Sequence, residues 1–431
     1  MKIAVIGGGA AGFFGAIQAA LQDPKADITL FEKSHKLLSK LLISGGGRCN
    51  VTNACFDNGL LINGYPRGNK ELRGAFEQFA PADIVNWFES RGVKLKTEPD
   101  GRMFPVTDRS ETIADCLVNV AEKAGVKIKL NSGISKIRVR RTESGERTER
   151  TSPEGAQYIS DGCSPSNERT YELQFQNGQT QIFDRVLIAA GGGPKLSFFD
   201  WLNDLDLEIV TPLPSLFTFN VADKSLHEMS GISVPDALIR ITNTKLQQRG
   251  PLLITHWGLS GPAILKLSAW GARELADLQY QFGITVSWLP DFKEDELRTR
   301  ISDIRVLENK KQTGTFSPFG FPGRLWKWML MKSEIPDEMR WADVSNKQIN
   351  KLVVNLLQMN MPVTGKSTFK EEFVTAGGVS LKEINLKTME SKKHQGLFFA
   401  GEVLNIDGIT GGYNFQAAWT TGYIAGKNIV V

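Results

Sequence analysis

A short apolar strand that runs straight into a glycine-rich turn constrains this chain more than any other feature. Ile3, Ala4, Val5 and Ile6, within Lys2–Ile6, make the kind of run that forms a buried parallel strand, and Gly7-Gly8-Gly9-Ala10-Ala11-Gly12 follows at once. Gly7, Gly9 and Gly12 fit G-x-G-x-x-G. The first makes the tight turn, the second lets backbone N–H groups reach a pyrophosphate, and the third lets the next helix pack closely on the strand. That helix, from Ala10 to about Gln22, aims its positive end at the phosphates, with Ala10 and Ala11 at its mouth. Ile28, Leu30 and Phe31 form a second strand ending at Glu32, 20 residues past Gly12, where a carboxylate can accept both ribose hydroxyls. Gly7, Gly9, Ala10, Ala11, Gly12, Glu32 and the adjoining Lys33 are therefore expected to bind a dinucleotide. The small residues of this turn also set the opening stretch apart from a cleaved leader.

At 431 residues the chain is too long for one ordinary domain. Apolar content of 41% with 23% charge is that of a globular protein, and no run of about 18 apolar residues suggests a membrane span. A net charge of +4 permits an anionic substrate or an RNA surface without requiring either. Cys49, Cys55, Cys116 and Cys163 lie far apart with no C-x-x-C, and the four histidines are scattered. No metal site or disulfide framework is expected, which points to a reducing, cytoplasmic setting.

Two further glycine-rich stretches carry chemistry. Ser44-Gly45-Gly46-Gly47-Arg48-Cys49-Asn50 suits no helix or strand interior; successive glycine N–H groups can form an anion-binding nest, and Arg48 adds a fixed charge. Near the other end, Gly396–Glu402 reads as a last buried strand. A turn through Gly411, Gly412 and Tyr413-Asn414-Phe415 follows, and a closing helix over Gln416–Asn428. A third strand, Arg185–Ala190, runs into Gly191-Gly192-Gly193-Pro194, which lets the chain pass close to a cofactor but lacks the spacing of a second dinucleotide fingerprint.

Between these lie helical spacing over 70–91, a strand and turn at Gly101–Pro105, a helix over Ser110–Ala124 capped by Ser110, and a strand over Val126–Leu130. Ile134–Arg140, Tyr171–Phe175 and Gln181–Phe183 look like a small antiparallel layer, interrupted by an exposed, polar insertion at Thr142–Thr170. Its basic residues, with Arg140 and Arg141 before it, raise the idea of RNA contact against the plainer reading of a solvated loop. Leu216–Val221, Ala237–Thr242 and Tyr280–Leu289 alternate like antiparallel strands, and Ser260–Trp270 reads as a helix opened by Ser260 and Pro262. Helices then follow over Lys293–Leu307, Gly323–Met331 and Ser345–Met359. The expected domains are 1–193 with 368–431 for the dinucleotide, a β-rich insertion at 194–291 with 361–367, and a helical insertion at 292–360.

Taken together, the fingerprint with Glu32, Ile43–Asn50, Gly101–Pro105, Thr255-His-Trp-Gly-Leu-Ser-Gly-Pro262, Thr388–Ser391 and Gly401–Phe415 resemble one family. It is that of the BaiN-type NAD(P)/FAD-dependent oxidoreductases, which includes aminoacetone oxidase-like flavoproteins. The resemblance implies an α/β fold: a Rossmann-type FAD domain of glutathione-reductase-like topology, interrupted by a β-barrel-like domain and a helical insertion. It also implies FAD as cofactor, with Ser44, Gly45, Gly46, Gly47, Gly191, Gly401, Glu402, Gly412, Asn414 and Phe415 near it. Asn405 stands where the family usually has Asp.

With one fingerprint, FAD is the resident cofactor and NAD(P)H, if used, docks transiently. Reduction of an activated C=C bond, in an enone or a uracil within ribosomal RNA, is the leading expectation. Amine oxidation of the aminoacetone oxidase type is the alternative, and a non-catalytic, FAD-stabilised RNA- or protein-binding module is the rival from another class. For C=C reduction Arg48 suits the developing oxyanion, and Cys49, Tyr413 or His256 the proton. Against these roles, Arg48 could simply hold a phosphate, Cys49 be packing, Tyr413 stack and His256 be structural.

Overall fold

The computed structural model describes residues 1–141, 169–367 and 374–431. They fall into two compact units, one comprising Met1–Pro212, Gly377–Asp407 and Gly411–Val431, the other Leu213–Ala376 and Gly408–Thr410. The insertion expected at 142–170 lies, up to residue 168, outside the described residues.

In the first unit the opening strand Lys2–Ile6 is central. It pairs in parallel with Asp27–Phe31 on one side and Arg185–Ile188 on the other. Lys127–Lys129 extends one edge and Leu397–Phe399 the other, both parallel, and two short antiparallel strands, Glu390–Ser391 and Ile384–Asn385, finish the sheet. In chain order the parallel strands therefore run 3-2-1-4-5, the doubly wound arrangement. The order reverses between Lys2–Ile6 and Arg185–Ile188, which opens a crevice beyond their carboxyl ends. The Rossmann-type expectation holds.

The opening helix Ala10–Gln22 packs against the closing helix Tyr413–Asn428, backbone to backbone. A Cβ on Gly422 would lie 2.7 Å from the Ala11 carbonyl oxygen, and one on Gly426 only 2.3 Å from that of Gly15. The antiparallel strands Ile134–Arg141, Arg169–Phe175 and Thr180–Phe183 form a separate sheet. It meets the parallel sheet through Phe31, whose ring lies 5.1 Å from Phe175 and 5.7 Å from Phe183.

The second unit is a closed antiparallel barrel of six strands: Thr218–Val221, Gly258–Ser260, Gln247–Thr255, Ser233–Ile241, Phe282–Ser287 and Met359–Ser367. Helices Glu294–Leu307, Gly323–Lys332 and Asn346–Gln358 are inserted between the last two strands. Trp288, Trp326 and Trp341 are fully buried in its core.

Several local expectations change. Two barrel strands, Gln247–Thr255 and Gly258–Ser260, have no counterpart in the sequence reading, and a third, Met359–Ser367, is expected there only as the β-rich segment 361–367; barrel closure supplies their pairing. Ser110 does not cap its helix: Arg109 holds that position, and the buried Ser110 hydroxyl donates to Leu42 O at 2.8 Å. Ser260 ends a strand, Gly261 caps the next helix, and Pro262 opens it. The helical stretch over 70–91 is two helices, Asn69–Phe76 and Pro81–Glu89, since Pro81 starts a helix more readily than it continues one. The closing helix begins at Tyr413, one turn early.

The helix seam generates a test. Gly422→Ala should cost about 1–3 kcal/mol by overpacking. Gly74→Ala, in the helix Asn69–Phe76 with nothing within 4 Å of its would-be Cβ, should gain about 0.4–1 kcal/mol. Urea unfolding midpoints of the two variants measure both.

Candidate active site

At the switch point the fingerprint takes the shape its glycines allow. Gly7 turns with φ +114°, donating its N–H to Phe31 O at 2.8 Å, and a Cβ on Gly12 would lie 1.9 Å from Gly7 O. Gly9 caps the opening helix with extended backbone and no side-chain cap, and a Cβ there would meet nothing within 4 Å. This leaves an open cradle in front of the first-turn N–H groups of Ala10 and Ala11. Glu32 is fixed at the second strand's end: Oε2 accepts Gly8 N–H at 2.9 Å and Oε1 accepts Ser34 N–H at 2.8 Å. Each oxygen keeps a lone pair for a ribose hydroxyl. Gly191, following the strand across the switch point, is left-handed with open space over its Cα. This donor set fits the adenosine-diphosphate half of FAD. Lys33 is exposed, its ammonium 5.2 Å from the Phe198 ring centre.

The two other glycine-rich motifs, from opposite ends of the chain, come together in this unit. The helix over Ser39–Gly47 loses helical geometry at Ser44, and Gly45, Gly46 and Gly47 are all left-handed. Beyond them the strand Thr52–Asn53 abuts the turn that starts the closing helix. In the orientation its neighbours require, the Asn50 amide donates to Thr52 O at 3.0 Å and accepts Gly412 N–H at 2.9 Å. Asn53 Nδ2 donates to Gly411 O at 3.0 Å, Thr52 Oγ1 to Gln416 Oε1 at 2.6 Å, and Trp419 Nε1 to Val51 O at 2.9 Å. Phe415 stacks on Trp419, and Asn414 is half-buried beside it. Gly401 donates its N–H to Thr421 Oγ1 at 2.9 Å, while Glu402 pairs with Lys40 at 2.6 Å.

Arg48 is held on three sides. Nε donates to Gly45 O at 3.3 Å, Nη1 meets Glu98 Oε1 at 2.6 Å and lies 3.7 Å from Asp108, and the guanidinium sits 4.0 Å over the Phe104 ring. Its bond to Glu98 holds the guanidinium above its ordinary pKa. Nη2 has no protein partner among the described residues. Cys49 is left-handed at φ +61° and fully buried, and burial pushes its thiol up to about 12. Ser44 Oγ donates to Leu41 O, which closes the preceding helix.

Tyr413 is half-buried, with its ring edge against Gly64 and 5.7 Å from the Tyr65 ring, and its phenol is raised above its ordinary value by burial. Its hydroxyl has no protein partner among the described residues and is not sealed from solvent. His256 belongs to the barrel unit, exposed in the turn joining Gln247–Thr255 to Gly258–Ser260. Among the basic residues near the insertion, Arg140 pairs with Glu172, and Arg147 and Arg150 lie outside the described residues. Among the described residues no group of three or more His, Cys, Asp or Glu could hold a metal ion, and no helix is long and apolar enough to cross a membrane.

Sequence reasoning missed two supporting pairs. Glu98, which opens the turn Glu98-Pro99-Asp100-Gly101, is 50 residues from the Arg48 it binds. Arg67 grips the fully buried Asp407 carboxylate with two nitrogens. The x-Pro-Asp-Gly turn was a signal for the first, whereas nothing local announces the second.

Two family models match: the HI0933-like protein Rossmann domain over residues 1–159, and the HI0933-like protein barrel and H2TH domain over residues 213–374. The chain belongs to the HI0933-like family. It is an FAD-dependent oxidoreductase of that family. A ribosomal RNA dihydrouridine synthase of Escherichia coli is 28% identical over 99% of this chain and 97% of its own length. A 3-dehydro-bile acid delta(4,6)-reductase of Clostridium scindens is 25% identical over 99% and 98%. Among solved structures, a 3-ketosteroid-delta4-(5alpha)-dehydrogenase from Rhodococcus jostii shares the fold at 14% identity and TM-score 0.50, covering 100% of this chain and 97% of that one.

Two outcomes follow from the geometry. Arg67→Ala should destabilise the unit by about 3–5 kcal/mol, since it takes the two-nitrogen cationic partner away from a buried carboxylate; urea unfolding measures it. At pH 8 a thiol titrating near 12 is ionised in about one molecule in ten thousand, so Cys49 should resist iodoacetamide in the native protein while half-buried Cys55 reacts first. Peptide mass mapping before and after unfolding reads the order.

Proposed function

We propose that this protein reduces a carbon–carbon double bond conjugated to a carbonyl group, with a uracil ring of ribosomal RNA as the first substrate to test. One observation carries the reading: the Arg48 guanidinium is fixed on three sides beside a run of left-handed glycines, with Nη2 open. Such a preoriented donor suits an oxygen that gains charge only as the reaction proceeds. The relatives support it from another direction. Dihydrouridine is uridine with its ring double bond reduced, and a delta(4,6)-reductase acts on double bonds conjugated to a ketone. The mild positive charge of the chain is compatible with an RNA substrate.

FAD, when bound, supplies the hydride, with NAD(P)H as its transient reductant. The cradle at Gly7–Gly12 and the Glu32 carboxylate would hold its adenosine diphosphate. Arg48 stabilises the negative charge that develops at the reacting centre as hydride reaches the β-carbon. The α-carbon then needs a proton. Tyr413 is the donor we assign: its phenol stays protonated through the physiological range, and its hydroxyl is free to face a ligand. Cys49, buried with its thiol pushed to about 12, acts as packing in this scheme. His256 has no assigned step.

The test begins with the yellow protein, reduced by NADPH or NADH without oxygen. It is then offered an in vitro transcribed ribosomal RNA or a 3-oxo-4-ene steroid. Flavin reoxidation with a two-hydrogen mass gain on the substrate is the expected outcome; no reoxidation by either compound, together with anaerobic reduction of the oxidised flavin by a small primary amine, would favour the amine oxidase reading. Arg48→Ala should lose turnover by roughly a hundred- to thousandfold with FAD retained. Tyr413→Phe should slow substrate reduction by about a hundredfold. Reduction by NAD(P)H should stay intact in Tyr413→Phe, as stopped-flow on each half-reaction would reveal. Gly9→Val, which fills the cradle, should give folded but colourless protein.

A further inference from the structure

We propose that Glu98 is a positioning residue for Arg48, aiming its free Nη2 edge at the reacting centre. The inference rests on the reading of Arg48 given above. Glu98 sits on a rigid tip. Its own N–H donates to Arg102 O at 2.8 Å, its carbonyl accepts Gly101 N–H at 2.9 Å, and Gly101 closes the turn with φ +84°. From that tip the carboxylate reaches two arginines at once: Oε1 meets Arg48 Nη1 at 2.6 Å and Oε2 meets Arg102 Nη2 at 2.8 Å. Both guanidiniums lie against the one buried Phe104 ring, at 4.0 and 5.4 Å from its centre.

Each contact removes a different freedom from Arg48. Phe104 sets the plane of the guanidinium, Gly45 O anchors Nε, and Glu98 sets the rotation within the plane. Without Glu98 the nearest remaining acceptor for Nη1 is Asp108, 3.7 Å away and already paired with Lys96. Loss of the Glu98 carboxylate therefore turns the Arg48 fork toward Asp108 and carries Nη2 off its line. Loss of its charge alone, with an acceptor oxygen left in place, does not.

This separates positioning from simple electrostatics by sign. A Glu98 that acted only through its charge would, once neutralised, leave the site more positive and better at stabilising an anion. A positioning Glu98 makes the site worse when the acceptor is lost. Sulfite is the probe: it adds reversibly to protein-bound oxidised flavin, bleaching its visible band, and the anionic product is favoured by a well-placed cation. The variants are Glu98→Ala, Glu98→Gln, Arg48→Ala and, as a control, Asp100→Ala, which removes the other partner of Arg102 without touching Arg48. FAD content and thermal midpoint are recorded for each.

Arg48→Ala and Glu98→Ala should both weaken sulfite binding by about tenfold or more. Glu98→Gln should hold or strengthen it, and Asp100→Ala should match wild type. Wild-type or tighter binding in Glu98→Ala, with Arg48→Ala impaired, overturns the positioning role. Wild-type binding in Arg48→Ala overturns instead the reading of Arg48 itself. Should Glu98→Ala fail to fold, Glu98→Asp retracts the carboxylate by about one methylene. Weaker sulfite binding in Glu98→Asp than in wild type, at unchanged charge, then supports positioning, and wild-type binding in Glu98→Asp overturns it.

Discussion

The first and last helices of the chain touch through their backbones, and the nucleotide-binding unit depends on that contact. Helices with ordinary side chains between them stand 8–10 Å apart. Here Gly422 and Gly426 leave no room for even a methyl group against the carbonyls of Ala11 and Gly15, and Gly401 has the Ala11 methyl 2.7 Å from its would-be Cβ. Small residues give up no rotamer freedom on burial, so the seam gains close packing at little side-chain entropy cost. Its structural effect is to bring the end of the chain back to the fingerprint, so that residues some 400 positions apart help build one nucleotide-binding unit.

Once the closing helix is docked, its first turn becomes a template for the glycine-rich loop. Left-handed residues at 45–47 and again at Cys49 are conformations a free chain would rarely hold together, with a non-glycine residue costing about 1–2 kcal/mol there. Asn50, Thr52, Asn53 and the Val51 carbonyl each bond to the turn or to the helix behind it, and buried Gln416 passes the network on through Thr420 to Phe79 O. Such buried side-chain bonds over-determine the loop, the condition under which backbone strain persists near a reactive centre. The buried Cys49 fits this picture as part of the anchor under Arg48.

How much of this was legible in the sequence depended on the range of the interaction that decides it. The strand–turn–helix–strand unit from Lys2 to Glu32 was readable almost to the residue, because glycine sterics, apolar runs and the acid at the strand end are all local signals. Barrel strands such as Gln247–Thr255 were not, since a segment carrying Gln-Gln-Arg-Gly-Pro owes its extended form to partners on either side. Ser110 was misread for a related reason: its hydroxyl is spent on the Leu42 carbonyl, a tertiary bond with no trace in the helix's own sequence. At the site itself the glycines and Arg48 stood out by type, but the direction of the arginine did not. That is decided by Glu98 and Phe104, about 50 residues away, and by the pairing of Leu95–Thr97 with Arg102–Pro105 that sets them on one hairpin.

The same hairpin explains why the site uses an arginine embedded in a balanced cluster instead of a lone cation. Arg48, Arg102 and Lys96 face Glu98, Asp100 and Asp108 in one chain of ion pairs, so the charges match in number. A cluster without net charge projects little long-range field, and what reaches a ligand is the short-range, directional part: two N–H bonds from Nη2. A lysine could not divide its donors in this way, because its ammonium rotates freely and offers no plane for Phe104 to hold. Directionality also decides what is stabilised. A diffuse positive field would bind an anionic ligand as tightly before reaction as during it, whereas a fixed pair of N–H bonds favours an oxygen most when its charge and position match the transition state. The cluster thus exchanges strength of attraction for aim, the property that the proposed reduction would need, since its substrate begins uncharged at the reacting carbonyl.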